Sequence, residues 1–182
     1  MKEKLNIELY KEIYIEELKT KVNIDSQLSL PMNLIVILIG IGLFLFQKHY
    51  VNSHNNSLYM LLLTKSLFAL FGGLVALSTM YLMKMYLNGF YKYQYLPIST
   101  DLQKTEGEFV KSNKDQAKML KKKTVSNTQI NFDAYLRDCY IITSSNNRIV
   151  NDERMKTMYL SKLYLMISIL LIALIGFLVI QK

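Results

Sequence analysis

The stretch Leu163–Ile180, LYLMISILLIALIGFLVI, runs for 18 residues without a charge, with Ser168 and the Tyr164 phenol as its only polar groups. Coiled as a helix at about 1.5 Å per residue it approaches the ~30 Å hydrocarbon core of a bilayer, which roughly 20 apolar residues cross. Two further runs match it. Ser26–Gln47 is uncharged over 22 residues and Ser66–Met83 over 18. The 182-residue chain is 51% hydrophobic yet carries a net charge of +8, so its charges are excluded from these blocks. That partition rules out a simple soluble enzyme. The sequence predicts an all-α integral membrane protein with three transmembrane helices, near residues 28–47, 60–87 and 160–181, and a helical, basic cytosolic region.

Outside the spans the chain divides by charge. Met1–Asp25 alternates Lys with Glu and contains no apolar run, unlike a cleavable signal peptide, so the first span is expected to stay as an anchor. Within it, Leu5–Val22 reads as an amphipathic helix with a wide apolar face, Leu5, Leu9, Ile13, Leu18 and Val22 towards one side and Ile7, Tyr10 and Tyr14 beside it. Its mixed charges point to packing on protein rather than on an acidic lipid surface. Residues 1–27 thus form a cytosolic amphipathic helix and residues 28–87 a transmembrane hairpin, with Pro31 in the first turn of its opening span. A polar turn over Lys48–Ser57 joins its two arms. Residues 88–159 form the basic region and residues 160–182 the third span. Gly89 and Pro97 are expected to end the second helix beyond a Tyr-rich interface.

Residues 84–162 hold 14 Lys/Arg against eight Asp/Glu, most of the net charge. Basic segments near span ends stay in the cytoplasm, which places the N-terminus and this region inside and the short turn outside.

The residues that could do chemistry are few. His49 and His54 stand in the outer turn beside no acid or thiol, Cys139 is the single cysteine, and no phosphate-cradling glycine loop or hydrolase motif occurs. The reading is therefore non-enzymatic, with no catalytic residues, metal site or cofactor.

Two constellations remain. Lys111, Lys114, Lys118 and Lys121 or Lys122 recur at three or four residues on a helix that Ser99 or Thr100 could cap, and Lys123 widens its end. Such a strip either binds a polyanion through phosphates or serves as a solvated face that enforces topology. The second is Tyr140, Ser144, Asn147, Asn151, Arg154 and Met158, a polar stripe leading into the third span, where Ser168 follows. Around an oligomer axis the stripe would line a hydrated vestibule. Otherwise it is the wet side of a helix, or Asn residues at a break near Ser144–Asn147. No charge crosses the midplane of a span, which argues against a proton-coupled transporter and leaves a hydrophobically gated pore or a plain anchor.

A transmembrane hairpin, a basic helical region and the segment Asn146–Asn147–Arg148–Ile149–Val150–Asn151–Asp152–Glu153–Arg154 running into an apolar span resemble the small membrane effectors of bacterial antiphage defence. The likeness is to SLATT-type pore-forming effectors and more narrowly to Hailong ion-channel effectors. It implies a homo-oligomeric, tetrameric channel of the bacterial inner membrane. Its control would come from an anionic nucleotide or single-stranded DNA oligomer, the product of a neighbouring nucleotidyltransferase. It would also make Lys111, Lys114, Lys118, Lys121, Lys122 and Lys123 the ligand surface, with Phe132, Tyr135 and Tyr140 available to stack on bases. A holin-like protein and a membrane-anchored scaffold without ligand gating are the alternatives.

Overall fold

The structure, a computed structural model, describes residues 7–51, 58–97, 99–120 and 125–180. Every element among them is a helix: α1 (Ile7–Ser26), α2 (Ser29–Val51), α3 (Leu58–Tyr91), α4 (Ser99–Leu120) and α5 (Val125–Ile180). Three stretches, within Ile7–His49, Leu58–Tyr91 and Phe132–Ile180, are long and apolar enough to cross a membrane. The chain resolves into two compact units, Val22–Tyr91 with Asp152–Lys182, and Met1–Lys21 with Lys92–Asn151.

The first unit contains the apolar stretches. α1 gives way to α2 through a turn at Gln27 and Leu28, and the cause is Pro31. Proline has no N–H to bond the carbonyl four residues back, and its ring crowds that carbonyl, so the helical ladder is interrupted there. Side chains cover the gap: Ser26 Oγ donates to Asn23 C=O at 2.8 Å and Ser29 Oγ to Ser26 C=O at 3.3 Å. The polar turn expected between α2 and α3 lies mostly outside the described residues, as does His54.

Burial in this unit follows a repeat of alternating three and four residues. α2 buries Pro31, Ile35, Leu38, Gly42, Leu45 and His49, and α3 buries Phe71, Val75, Ser78, Leu82, Met85 and Gly89. α5 continues the pattern through Arg154, Met158, Ser161, Leu165, Ser168, Ile172, Ile175 and Val179. A mean period of 3.5 is that of left-handed coiled helices, where each seam residue seats among residues of a facing helix. The apolar members form one core that joins Ile35, Leu38 and Leu45 to Phe71 and Val75 and to Leu165, Ile172 and Val179. Gly42 is where the Phe71 ring comes closest to α2, since a Cβ there would fall 2.7 Å from Phe71 Cε1. The opposite faces, Val36 and Phe44 on α2 or Leu170 and Phe177 on α5, stay bare and apolar. Those faces suit hydrocarbon.

In the second unit α4 packs on α5 through an aromatic trio. Phe109 lies with its centroid 6.4 Å from Phe132 and 6.1 Å from Tyr135. Tyr14 of α1 meets Tyr140 at 5.8 Å. Of the wide apolar face expected over Leu5–Val22, α1 buries Tyr14, half-buries Ile7, Tyr10 and Leu18 and leaves Leu9, Ile13 and Val22 exposed, while Leu5 lies outside the described residues. Polar contacts decide which side of α1 is covered. α5 shows no break at Ser144–Asn147. It has no proline, and its one glycine is Gly176.

Candidate functional site

In the unit that holds α4, the non-helical segment Lys92–Pro97 has no backbone ladder of its own, and side chains take its place. Asn147 acts on Gln94 with both ends of its amide, accepting from the Gln94 N–H at 2.9 Å and donating to the Gln94 C=O at 2.8 Å. Asn146 Nδ2 donates to Lys92 C=O at 3.0 Å. On α1, the Tyr14 hydroxyl accepts from Leu96 N–H at 3.5 Å, and Tyr93 Oη donates to the Glu17 carbonyl at 2.8 Å. Asn151 Nδ2 reaches the same carbonyl at 3.0 Å and the Glu17 carboxylate at 2.9 Å. Burial pushes the Tyr93 hydroxyl up to about 12, against the lowering effect of Asn151. Lys21 Nζ sits 5.4 Å above the Tyr93 ring. These groups form a polar clasp that holds the Lys92–Pro97 strap and α1 to α5.

In the unit that holds the spans, Arg154 is the polar centre. Its Nη2 forms an ion pair with Asp25 and its Nε donates to the Met85 carbonyl at 3.2 Å. One guanidinium therefore ties α5 to α3 and to the last turn of α1. Gly89 makes room for it. The helix is lost between Gly89 and Pro97, as expected, with Gly89 in the last turn of α3, where a side chain would collide with Arg154. Deeper in the unit Ser78 and Ser161 are fully buried, 2.7 Å apart at their hydroxyl oxygens. Each hydroxyl also lies 3.1 Å from the other residue's carbonyl. Small side chains let α3 and α5 approach closely there, and the hydroxyls satisfy one another in the absence of water.

The residues of the stripe read as a hydrated vestibule are buried within the protomer. Asn147 is 0% exposed, Asn151 1%, Arg154 1% and Ser168 0%. Ser168 donates to its own helix, to Tyr164 C=O at 2.8 Å, and the other three make the contacts above. The physical reason is that a 3.5-residue repeat serves an intramolecular seam as well as a pore axis, and here the seam takes it. Phe132, Tyr135 and Tyr140, offered as base-stacking rings, are likewise engaged with other rings of the chain. Lys111 and Lys114 are exposed on α4. Lys118 belongs to α4 by its backbone but its side chain is outside the described residues, as are Lys121, Lys122 and Lys123 altogether.

Sequence reasoning missed Glu17, Asp25, Tyr93, Gly89 and Ser161. A signal was present, because the three-four spacing that begins at Asn147 runs without interruption to Val179. In the unit that holds the spans, polar Arg154, Ser161 and Ser168 and the apolar residues between them are members of one seam. No family model, curated protein or solved structure matches the chain.

Proposed function

We propose that the protein is a homo-oligomeric ion channel of the bacterial inner membrane, acting as a pore-forming effector of antiphage defence with its N-terminus in the cytoplasm. An anionic nucleotide or single-stranded DNA oligomer controls it from the cytoplasmic side. It binds along the lysine strip of α4 and holds the channel closed, and a nucleotidyltransferase supplies it. The observation that supports ligand control is the exposure of Lys111 and Lys114 on α4, in a region of net positive charge. Ammonium groups three residues apart on one helical face meet successive phosphates of a flexible strand.

The test is ion flux from liposomes that contain the purified full-length protein, with and without short single-stranded DNA. Flux that falls when the oligomer is added supports the reading. Increased flux, or no binding at low salt, defeats inhibition by this ligand. A scaffold is the second reading, and the burial of Asn147, Asn151, Arg154 and Ser168 inside the protomer favours it, because those groups then line no water-filled path. Partner binding with a membrane that stays impermeable would establish the scaffold.

A further inference from the structure

Arg154 is a charge enclosed by the span-bearing unit. A guanidinium keeps its charge inside a protein, and at 1% exposure this one is out of reach of water. Its Nη1 finds no acceptor among the described residues, so its compensation comes from the Asp25 carboxylate at Nη2 and the Met85 carbonyl at Nε. A carbonyl brings no counter-charge. The balance of the buried cation therefore depends on Asp25, whose side chain is 41% exposed. One half of the pair is sealed and the other is open to solvent.

Asp25 stands in the last turn of α1, two residues before the interruption at Gln27 and Leu28. Two other contacts hold this elbow. Ile24, 2% exposed, packs with Met85 and Met158, and Lys162 Nζ donates to Gln27 Oε1 at 3.1 Å. The second contact is exposed, where water competes for both groups. Removing the charge of Asp25 would leave Arg154 buried without a counter-charge, a worse state than either the intact pair or two neutral side chains. The guanidinium escapes it by leaving the space beside Gly89 for water, which gives up the Met85 carbonyl and lets the elbow go.

We infer that the Asp25–Arg154 pair is a conformational latch: intact, it holds the α1–α2 elbow against α5 and α3, and an event that takes up the Asp25 charge from the solvent side releases it. Its link to gating rests on the channel reading. There the latched arrangement is the closed one, because Arg154, Ser161 and Ser168 are then all buried within the protomer and none faces an ion path.

A cysteine reporter at the elbow tests the latch. In a Cys139→Ser background, Ile24→Cys is made in the full-length protein, and its reaction with a water-soluble maleimide is timed in detergent. Asp25→Asn is expected to speed labelling several-fold, and Asp25→Glu, which keeps the charge, to leave it near the parent rate. Adding Arg154→Met to Asp25→Asn removes the stranded charge but keeps a long, unbranched side chain, so labelling should slow again towards the parent. A double variant that labels as fast as Asp25→Asn would make the pair an ordinary structural tie and overturn the latch. Unchanged labelling in Asp25→Asn overturns it too. Ion flux from liposomes is the second readout, expected to rise several-fold with Asp25→Asn and to return in the double variant. Flux that stays level while labelling changes as expected overturns the gating role and leaves the latch standing. If neither parent nor variants pass ions, it is the channel reading that falls.

Discussion

Arg154 occupies the space where Gly89 lacks a side chain: a Cβ on that glycine would stand 2.5 Å from the guanidinium carbon and 2.7 Å from Nε. A helix interior ordinarily gains from replacing glycine, since alanine is the better helix former by roughly 1 kcal/mol. Here the gain is reversed, because the guanidinium is held on both sides by Asp25 and the Met85 carbonyl.

Gly89→Ala is therefore expected to destabilise the detergent-solubilised protein by about 1–3 kcal/mol, the usual cost of overpacking a closed site. The check is a double-mutant cycle in thermal unfolding. With Arg154→Ala already in place the glycine substitution should become neutral or stabilising. An equal penalty in both backgrounds would detach Gly89 from Arg154.

Asn147 makes two hydrogen bonds to Gln94, one through each end of its amide. Asn147→Ala should cost about 1–3 kcal/mol, since it removes two hydrogen bonds worth roughly 0.5–1.5 kcal/mol each. It should also speed amide hydrogen exchange at Gln94. Asn147→Asp keeps the acceptor but sets a carboxylate against the Gln94 carbonyl, so it should exchange faster still than wild type. Unchanged protection in both variants would show that the strap is held by other contacts.

The raised Tyr93 hydroxyl gives a pH dependence whose sign follows from linkage. Burial favours the neutral phenol, so the folded value near 12 lies above the ordinary value of 10.0. Its contribution is complete below about pH 10 and is lost as pH rises through 12, when the folded state must ionise a group the unfolded state ionises sooner. Tyrosinate absorbance should lose a late-titrating component in Tyr93→Phe. That variant also removes the bond to the Glu17 carbonyl, so its stability at neutral pH should drop by about 1 kcal/mol.

The serine contact between α3 and α5 should tolerate shrinkage and resist growth. Ser78→Ala and Ser161→Ala each lose one partner of a reciprocal bond, at a cost of about 0.6 kcal/mol, in line with interhelical hydrogen bonds in membranes. Ser161→Leu should be far worse, since it forces the helices apart. Retained helicity with faster proteolysis would report that separation.

If the α4 lysines hold phosphates, log affinity for single-stranded DNA falls with log salt at a slope of roughly −0.7 per phosphate contact. Lys111→Gln with Lys114→Gln should make that slope shallower by roughly 1.4 in fluorescence-anisotropy titrations. An unaltered slope would leave these lysines a topological role only.

What the sequence by itself determined is the division into membrane-crossing and polar parts. The length of an uncharged run, measured against the thickness of hydrocarbon, is a one-dimensional property, and Leu163–Ile180 can be read without knowing any neighbour. The helical character of α4 and its start near Ser99 followed from local chemistry in the same way. The destination of each polar residue did not. Asn147, Asn151, Arg154 and Ser168 lie at a spacing that serves a solvent-filled axis and a packed seam alike. Only the tertiary structure decided between these for the protomer, by bringing Gln94 to Asn147, Glu17 to Asn151 and Asp25 with Gly89 to Arg154. Those partners are 53 to 134 residues away from the α5 groups they bond. No local pattern encodes a hydrogen bond over such a separation, because its formation depends on which helices pack and on which residues leave room between them.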